Sequence, residues 1–285
     1  MNRRLRLAAS ITGAAAVGSL ATVAVGRALW RRDTRRLVSR LDNASAVSAR
    51  YDIFTEDQLI GLPPPVTRFF QSGLEPGQPL IRSAVIATRG DFLMKPGRWS
   101  RFEAEQHFTV SPPGFVWDAS IRMLPAIPVR VRDSYLAGVG RMRARVAGLV
   151  PVVDRQGSRE MAEASLQRYL AEAVWLPTAL LPSAGVAWSP LDDTSARATL
   201  EDHGVRASVD FRFDASGLIV GVAADRFRDV DGQPVLTPWR VDLGDYARTY
   251  GVMVPRAGEV AWLTQDGASP FWRGHISRLA YRFGT

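Results

Sequence analysis

The sequence predicts a mostly β (α+β) protein: a large antiparallel sheet of about eleven strands with one helix set into it, behind an N-terminal transmembrane helix. Three observations predict it. A run of twenty residues near the N-terminus is uncharged, the apolar period becomes two after Gln78, and one stretch between Ser158 and Trp175 keeps a three- and four-residue period. The 285 residues are 46% hydrophobic and 22% charged, the balance of a globular chain with a sizeable core.

The uncharged run extends from Leu7 to Gly26, between Arg3, Arg4 and Arg6 on one side and Arg27, Arg31 and Arg32 on the other. Its length matches a bilayer core. It exceeds the core of a secretory signal, and Ala24-Val25-Gly26 is a poor cleavage site. Residues 1–30 are therefore expected to be a membrane anchor, touching the membrane through residues 7–26, in a single-pass protein of the cell membrane. Six arginines follow the run and three precede it, so the positive-inside rule favours a cytoplasmic domain.

Residues 1–40 hold nine arginines against Asp33, which accounts for the whole formal net charge of +8. The remainder is balanced and lacks the basic bias of a nucleic-acid surface, so no nucleic-acid partner is expected. The absence of cysteine excludes disulfides, thiolate metal sites and a cysteine nucleophile.

Residues 31–77 read as a helical connector and proline-rich boundary. Leu37, Val38 and Leu41 keep helical spacing, Phe54, Leu59 and Ile60 begin an apolar patch, and Pro63-Pro64-Pro65 is expected to end any helix. Residues 78–285 form the β domain. Phe102, Ala104, Gln106 and Phe108 alternate with charged residues, and Phe115, Trp117, Ala119, Ile121 and Met123 repeat the pattern. Val129, Val131, Asp133 and Tyr135, then Met142, Ala144 and Val146, give two more strands. Lys95-Pro96-Gly97, Ser111-Pro112-Pro113-Gly114 and Gly138-Val139-Gly140 are the turns between them. The helix from about Ser158 to Trp175 places Met161, Ala164, Leu166, Tyr169, Leu170 and Ala173 on its stripe, and Pro177 ends it. Strands resume through Ala196 to Leu200, Val205 to Phe213, Leu218 to Asp225, Trp239 to Leu243, Val260 to Leu263 and Phe271 to Phe283.

Leu62-Pro63-Pro64-Pro65-Val66, Pro112-Pro113-Gly114-Phe115-Val116-Trp117-Asp118, the run Arg168 to Pro177 and Gly258-Glu259-Val260-Ala261-Trp262 resemble an uncharacterised bacterial family of membrane-associated proteins, a domain of unknown function. That family brings no catalytic or binding residues with it. The layout of meander, helix and further strands, with Phe213-Asp214-Ala215-Ser216-Gly217-Leu218, Asp245-Tyr246 and Gly251-Val252-Met253-Val254-Pro255, is similar to the lipoprotein-carrier and lipoprotein-receptor fold. This resemblance implies a half-barrel wrapped round the helix and sheltering acyl chains. It also implies an extracytoplasmic domain, against the flanking charge count.

No specific catalytic motif occurs: there is no nucleophile elbow, zinc-protease helix, phosphate loop or dinucleotide fingerprint. Asp229-Val230-Asp231-Gly232 reads as a turn rather than a calcium loop, and no metal or cofactor is expected. His107 and Glu105 share a strand face, which makes them the base and orienter of an alternative hydrolase or isomerase reading. His203 beside Asp202 is a weaker pair. One helix cannot fill the interior of a strongly curved sheet, so Phe115, Trp117, Tyr169, Trp175 and Phe211 are the expected lining of a site for a lipid or other apolar ligand. A solid core, and with it a scaffold without ligand, gives the same alternation.

Overall fold

The computed structural model describes residues 3–46, 53–123 and 128–284, with side chains described in the first segment from residue 22 to 45. Helix α1 (Arg3–Ala46) is followed by the short helix α2 (Pro64–Gly73). Six strands come next: β1 (Ile81–Lys95), β2 (Arg98–Thr109), β3 (Gly114–Arg122), β4 (Pro128–Leu136), β5 (Val139–Val146) and β6 (Val150–Gln156). Helix α3 (Arg159–Glu172) interrupts them. The remaining strands are β7 (Ala187–Asp192), β8 (Ser195–Asp202), β9 (Val205–Phe213), β10 (Ile219–Val230), β11 (Gln233–Thr249), β12 (Val252–Thr264) and β13 (Gly267–Phe283).

All thirteen belong to one open, curved antiparallel sheet in the order β6-β5-β4-β3-β2-β1-β13-β12-β11-β10-β9-β8-β7. The first and last strands of the chain pair in its middle, and α3 joins its two edges. The edges are the two strands by which the count exceeds eleven. β6 and β7 are exposed along nearly their whole length and carry Pro151 and Pro190, so they lack the one-sided burial that writes period two into a sequence.

Ser158 accepts a hydrogen bond from the Met161 amide and starts α3 where the spacing places it. The triple proline, expected to end a helix, begins one instead. Pro63 is the N-cap of α2 and Pro64 its first residue, where a missing N–H costs nothing and φ is already helical. The Asp231-Gly232 turn between β10 and β11 has φ of 50° and 89°, as a tight hairpin requires.

Three glycines face one another across the middle strands of the sheet. Gly274 lies opposite Gly90 on one side and Gly258 on the other. A Cβ on Gly90 would stand 2.7 Å from the Gly274 Cα, an approach that only glycine permits. The curl brings the two halves of the sheet together on α3. β9 pairs with β10 only from Ile219 to Ala223. Beyond that point Gln167 of α3 donates to the free Asp225 carbonyl at 2.9 Å, and an Arg155–Asp229 ion pair links β6 to β10. At the other end the Tyr135 hydroxyl donates to Asp202 at 2.8 Å, joining β4 to β8. The core fills the concave face: Phe108, Phe115, Leu166, Tyr169, Leu170, Trp175, Leu180 and Phe211 are all buried in it.

The described part of α1 lies on the convex face, where it buries Trp30 and Leu41 near Val116 of β3. The Trp30 indole donates to both oxygens of Asp118 at 2.9 and 3.0 Å, and Thr34 donates to the same carboxylate at 2.5 Å. Arg132 stacks on the Trp30 ring at 4.1 Å and donates to the Trp30 carbonyl at 2.8 Å. Burial holds the Arg132 guanidinium below its ordinary pKa, against the pull of Asp118.

The expected single-pass placement in the cell membrane is overturned, because among the described residues no helix is long and apolar enough to cross a membrane. The side chains of residues 7–21, most of the expected span, lie outside the described residues. From Arg27 onward α1 is rich in arginine and packs against the sheet through Trp30, Thr34 and Leu41, as a docked helix does. The same finding leaves the expected membrane contact through residues 7–26 without support.

Candidate ligand-binding site

Five residues expected to line a site lie in the packed interior. Phe115 and Phe211 are 0% exposed, Tyr169 2%, Trp117 4% and Trp175 7%. Phe108 packs on Phe115, Tyr169 and Trp175 with ring centroids 6.1, 6.2 and 6.5 Å apart. Phe211 lies against Trp188, and Trp117 against Phe102. Their polar atoms are satisfied within the protein: Tyr169 donates to the Thr109 carbonyl at 3.1 Å and Trp175 to the Pro255 carbonyl at 3.1 Å.

An ionic network borders this core on the concave side. Arg168 of α3 donates to Asp133 of β4 at 2.6 Å and to Glu172 at 2.9 Å, and Gln106 of β2 donates to the other Glu172 oxygen at 2.7 Å. The guanidinium also lies 5.1 Å from the Phe115 ring and 5.0 Å from that of Trp117. Burial alone would lower the Arg168 pKa, but Glu172 and Asp133 together outweigh it and raise it.

Toward the open end, between the β1–β2 and β10–β11 hairpins, packing gives way to a cleft of about 790 Å³ lined by Leu93, Met94, Lys95, Pro96, Arg228, Asp229, Val230 and Asp231. Partly exposed aromatic rings continue inward from it. Trp262 of β12 stacks on Phe271 of β13 at 5.4 Å and an interplanar angle of 17°, and Phe271 meets Phe92 of β1 at 6.1 Å. Trp272 reaches Phe102 at 5.7 Å, which connects this shelf to Trp117. A register shift makes Phe271 an extra residue between Pro270 and Trp272, so two consecutive aromatic side chains serve one site.

β10 gives the shelf its charge. Its inward positions run Val222, Ala224, Arg226 and Arg228, opposite Val241, Trp239, Thr237 and Val235 of β11. Arg226 stands 5.2 Å from the Trp239 ring and 5.9 Å from that of Trp262, and Arg228 stands 5.7 Å from Trp262. Neither makes an ion pair among the described residues. Arg226 donates instead to the Ala164 carbonyl at 3.0 Å, and Arg228 to the Thr237 hydroxyl at 3.1 Å. Neither arginine is among the residues expected to line a site, nor are Phe92, Trp262 and Phe271. The available signal was the change from Val222 and Ala224 to Arg226 and Arg228 along one strand face.

The histidine pairs lie elsewhere. His107 Nε2 is 3.2 Å from Glu105, on the convex face as their spacing requires, and the second Glu105 oxygen accepts from Arg278 at 2.7 Å. His203 Nδ1 is 2.9 Å from Asp202, whose other oxygen holds Tyr135. No described serine, threonine or tyrosine hydroxyl is hydrogen-bonded to either imidazole.

A family profile described as a family of unknown function (DUF6920) matches residues 60–281. No curated protein matches the chain. Similar solved structures include a LolA superfamily protein from Nitrosomonas europaea, 12% identical over 76% of this chain and 92% of that one, with a TM-score of 0.31. Another is a β-barrel-like protein of the domain of unknown function DUF1849 from Brucella abortus, 11% identical over 72% and 99%, with a TM-score of 0.26.

Proposed function

The chain belongs to DUF6920, a family of unknown function, and we propose that it is a binding protein that takes a lipid or other aliphatic molecule into the mouth of its half-barrel. One observation carries this reading: the aromatic shelf of Phe92, Trp262, Phe271 and Trp272 is continuous, concave and only partly covered. Apolar surface of that kind, rimmed by polar residues, is what an aliphatic chain covers. In this reading the buried Phe115, Trp117, Tyr169, Trp175 and Phe211 hold the shelf from beneath, and Trp117 is nearest the ligand through Phe102.

Native mass spectrometry and solvent extraction of the purified full-length chain test the proposal. Aliphatic molecules are expected to copurify, and a stripped sample is expected to take up dodecanol. Both are lost in Phe271→Asp, whose unfolding midpoint stays close to that of the parent because the ring is already partly exposed. An empty protein that takes up no dodecanol overturns the reading and leaves a scaffold.

A further inference from the structure

We propose that the ligand carries an anionic group, a carboxylate or a phosphate, held by Arg226 and Arg228 at the inner side of the aromatic shelf. The inference rests on the aliphatic-binding reading and adds the chemistry of the head to that of the chain. Two guanidinium groups two residues apart on one strand face the concave interior without a carboxylate partner among the described residues. The carboxylates nearby are otherwise engaged: Asp133 and Glu172 by Arg168, and Asp229 by Arg155. Asp225 alternates to the opposite face of the strand, and Asp231 sits in the β10–β11 turn at the lip.

A cation removed from water is costly, and Arg226 sits within the half-barrel with no carboxylate at ion-pair distance among the described residues. Burial pushes the Arg226 guanidinium down to about 10, against the pull of Asp133 and Glu172 and with a further push from Arg168. A further donor is idle beside them: the buried indole nitrogen of Trp239, whose ring Arg226 covers, has no hydrogen-bond partner among the described residues. Two guanidinium forks and an indole N–H form a donor set suited to the several oxygens of a carboxylate or phosphate. Arg228 lines the cleft with Leu93 and Met94, so one molecule can meet apolar and cationic surface together.

Titrating the full-length chain with dodecanoate, dodecyl phosphate and dodecanol, followed by tryptophan fluorescence, separates head from tail. At least one of the two anions is expected to bind roughly tenfold or more tighter than the alcohol, and the tighter one identifies the head group. In Arg226→Gln with Arg228→Gln that preference disappears, and the anions bind no tighter than dodecanol. If the double variant does not fold, the partly exposed Arg228→Gln alone is expected to lose part of the preference. Equal affinities for all three probes in the parent protein overturn the anionic head and leave aliphatic binding standing. Binding of none of them overturns both.

Discussion

Arg168→Ala is expected to lower stability by about 3–5 kcal/mol, the usual cost of removing one partner from a buried ionic network. The side chain is 16% exposed and neutralises Asp133 and Glu172, which are 15% and 19% exposed. Its loss leaves two carboxylates inside the half-barrel with Gln106 as the one remaining side-chain donor to either among the described residues. Two ring faces, those of Phe115 and Trp117, lose their cation at the same time. In a chain of this size the thermal midpoint is expected to fall by roughly 10 °C. Calorimetry reads both the loss of stability and the fall in midpoint, and a loss below about 1 kcal/mol would contradict the ionic account.

Asp118→Ala is expected to be the second costly change, at about 3 kcal/mol or more. Asp118 receives Trp30 and Thr34 and lies 3.9 Å from Arg132, so its removal unfastens α1 and strands a guanidinium that is 2% exposed. Arg132 is already under-satisfied, since its Nε and Nη1 atoms have no hydrogen-bond partner among the described residues. The reverse substitution, Arg132→Met, is therefore nearly neutral: it removes a poorly solvated charge while Asp118 keeps the Trp30 and Thr34 donors. Asp118→Ala with Arg132→Met is expected to recover much of the loss, a coupling that equilibrium unfolding of the four proteins measures. Equal losses from the two single substitutions would refute the asymmetry.

What the sequence showed followed from one-sided burial. Where a strand has a core face and a solvent face, as in β2, β8 and β9, alternation places it and orients its side chains. The helix was legible because Ser158 caps it and its apolar stripe faces the sheet. β6 and β7 were not legible, since strands exposed on both faces write no period. Val116 was indistinguishable from an exposed position, because the helix that covers it lies some eighty residues earlier in the chain. Interior aromatics could be listed from sequence, but packed core and open shelf carry the same residue types. Phe115 and Phe271 differ in what lies above them, which is a property of the closed curve and not of either strand. Arg226 and Arg228 become notable only once the register sets them over Trp239 and Trp262.

Photolabelling of the full-length chain with a diazirine-bearing aliphatic alcohol, mapped by peptide mass spectrometry, tests the central claim most directly. The account predicts label on Phe92, Met94, Trp262 and Phe271, competed away by excess dodecanol. Label confined to the convex face, or indifferent to competition, would contradict it.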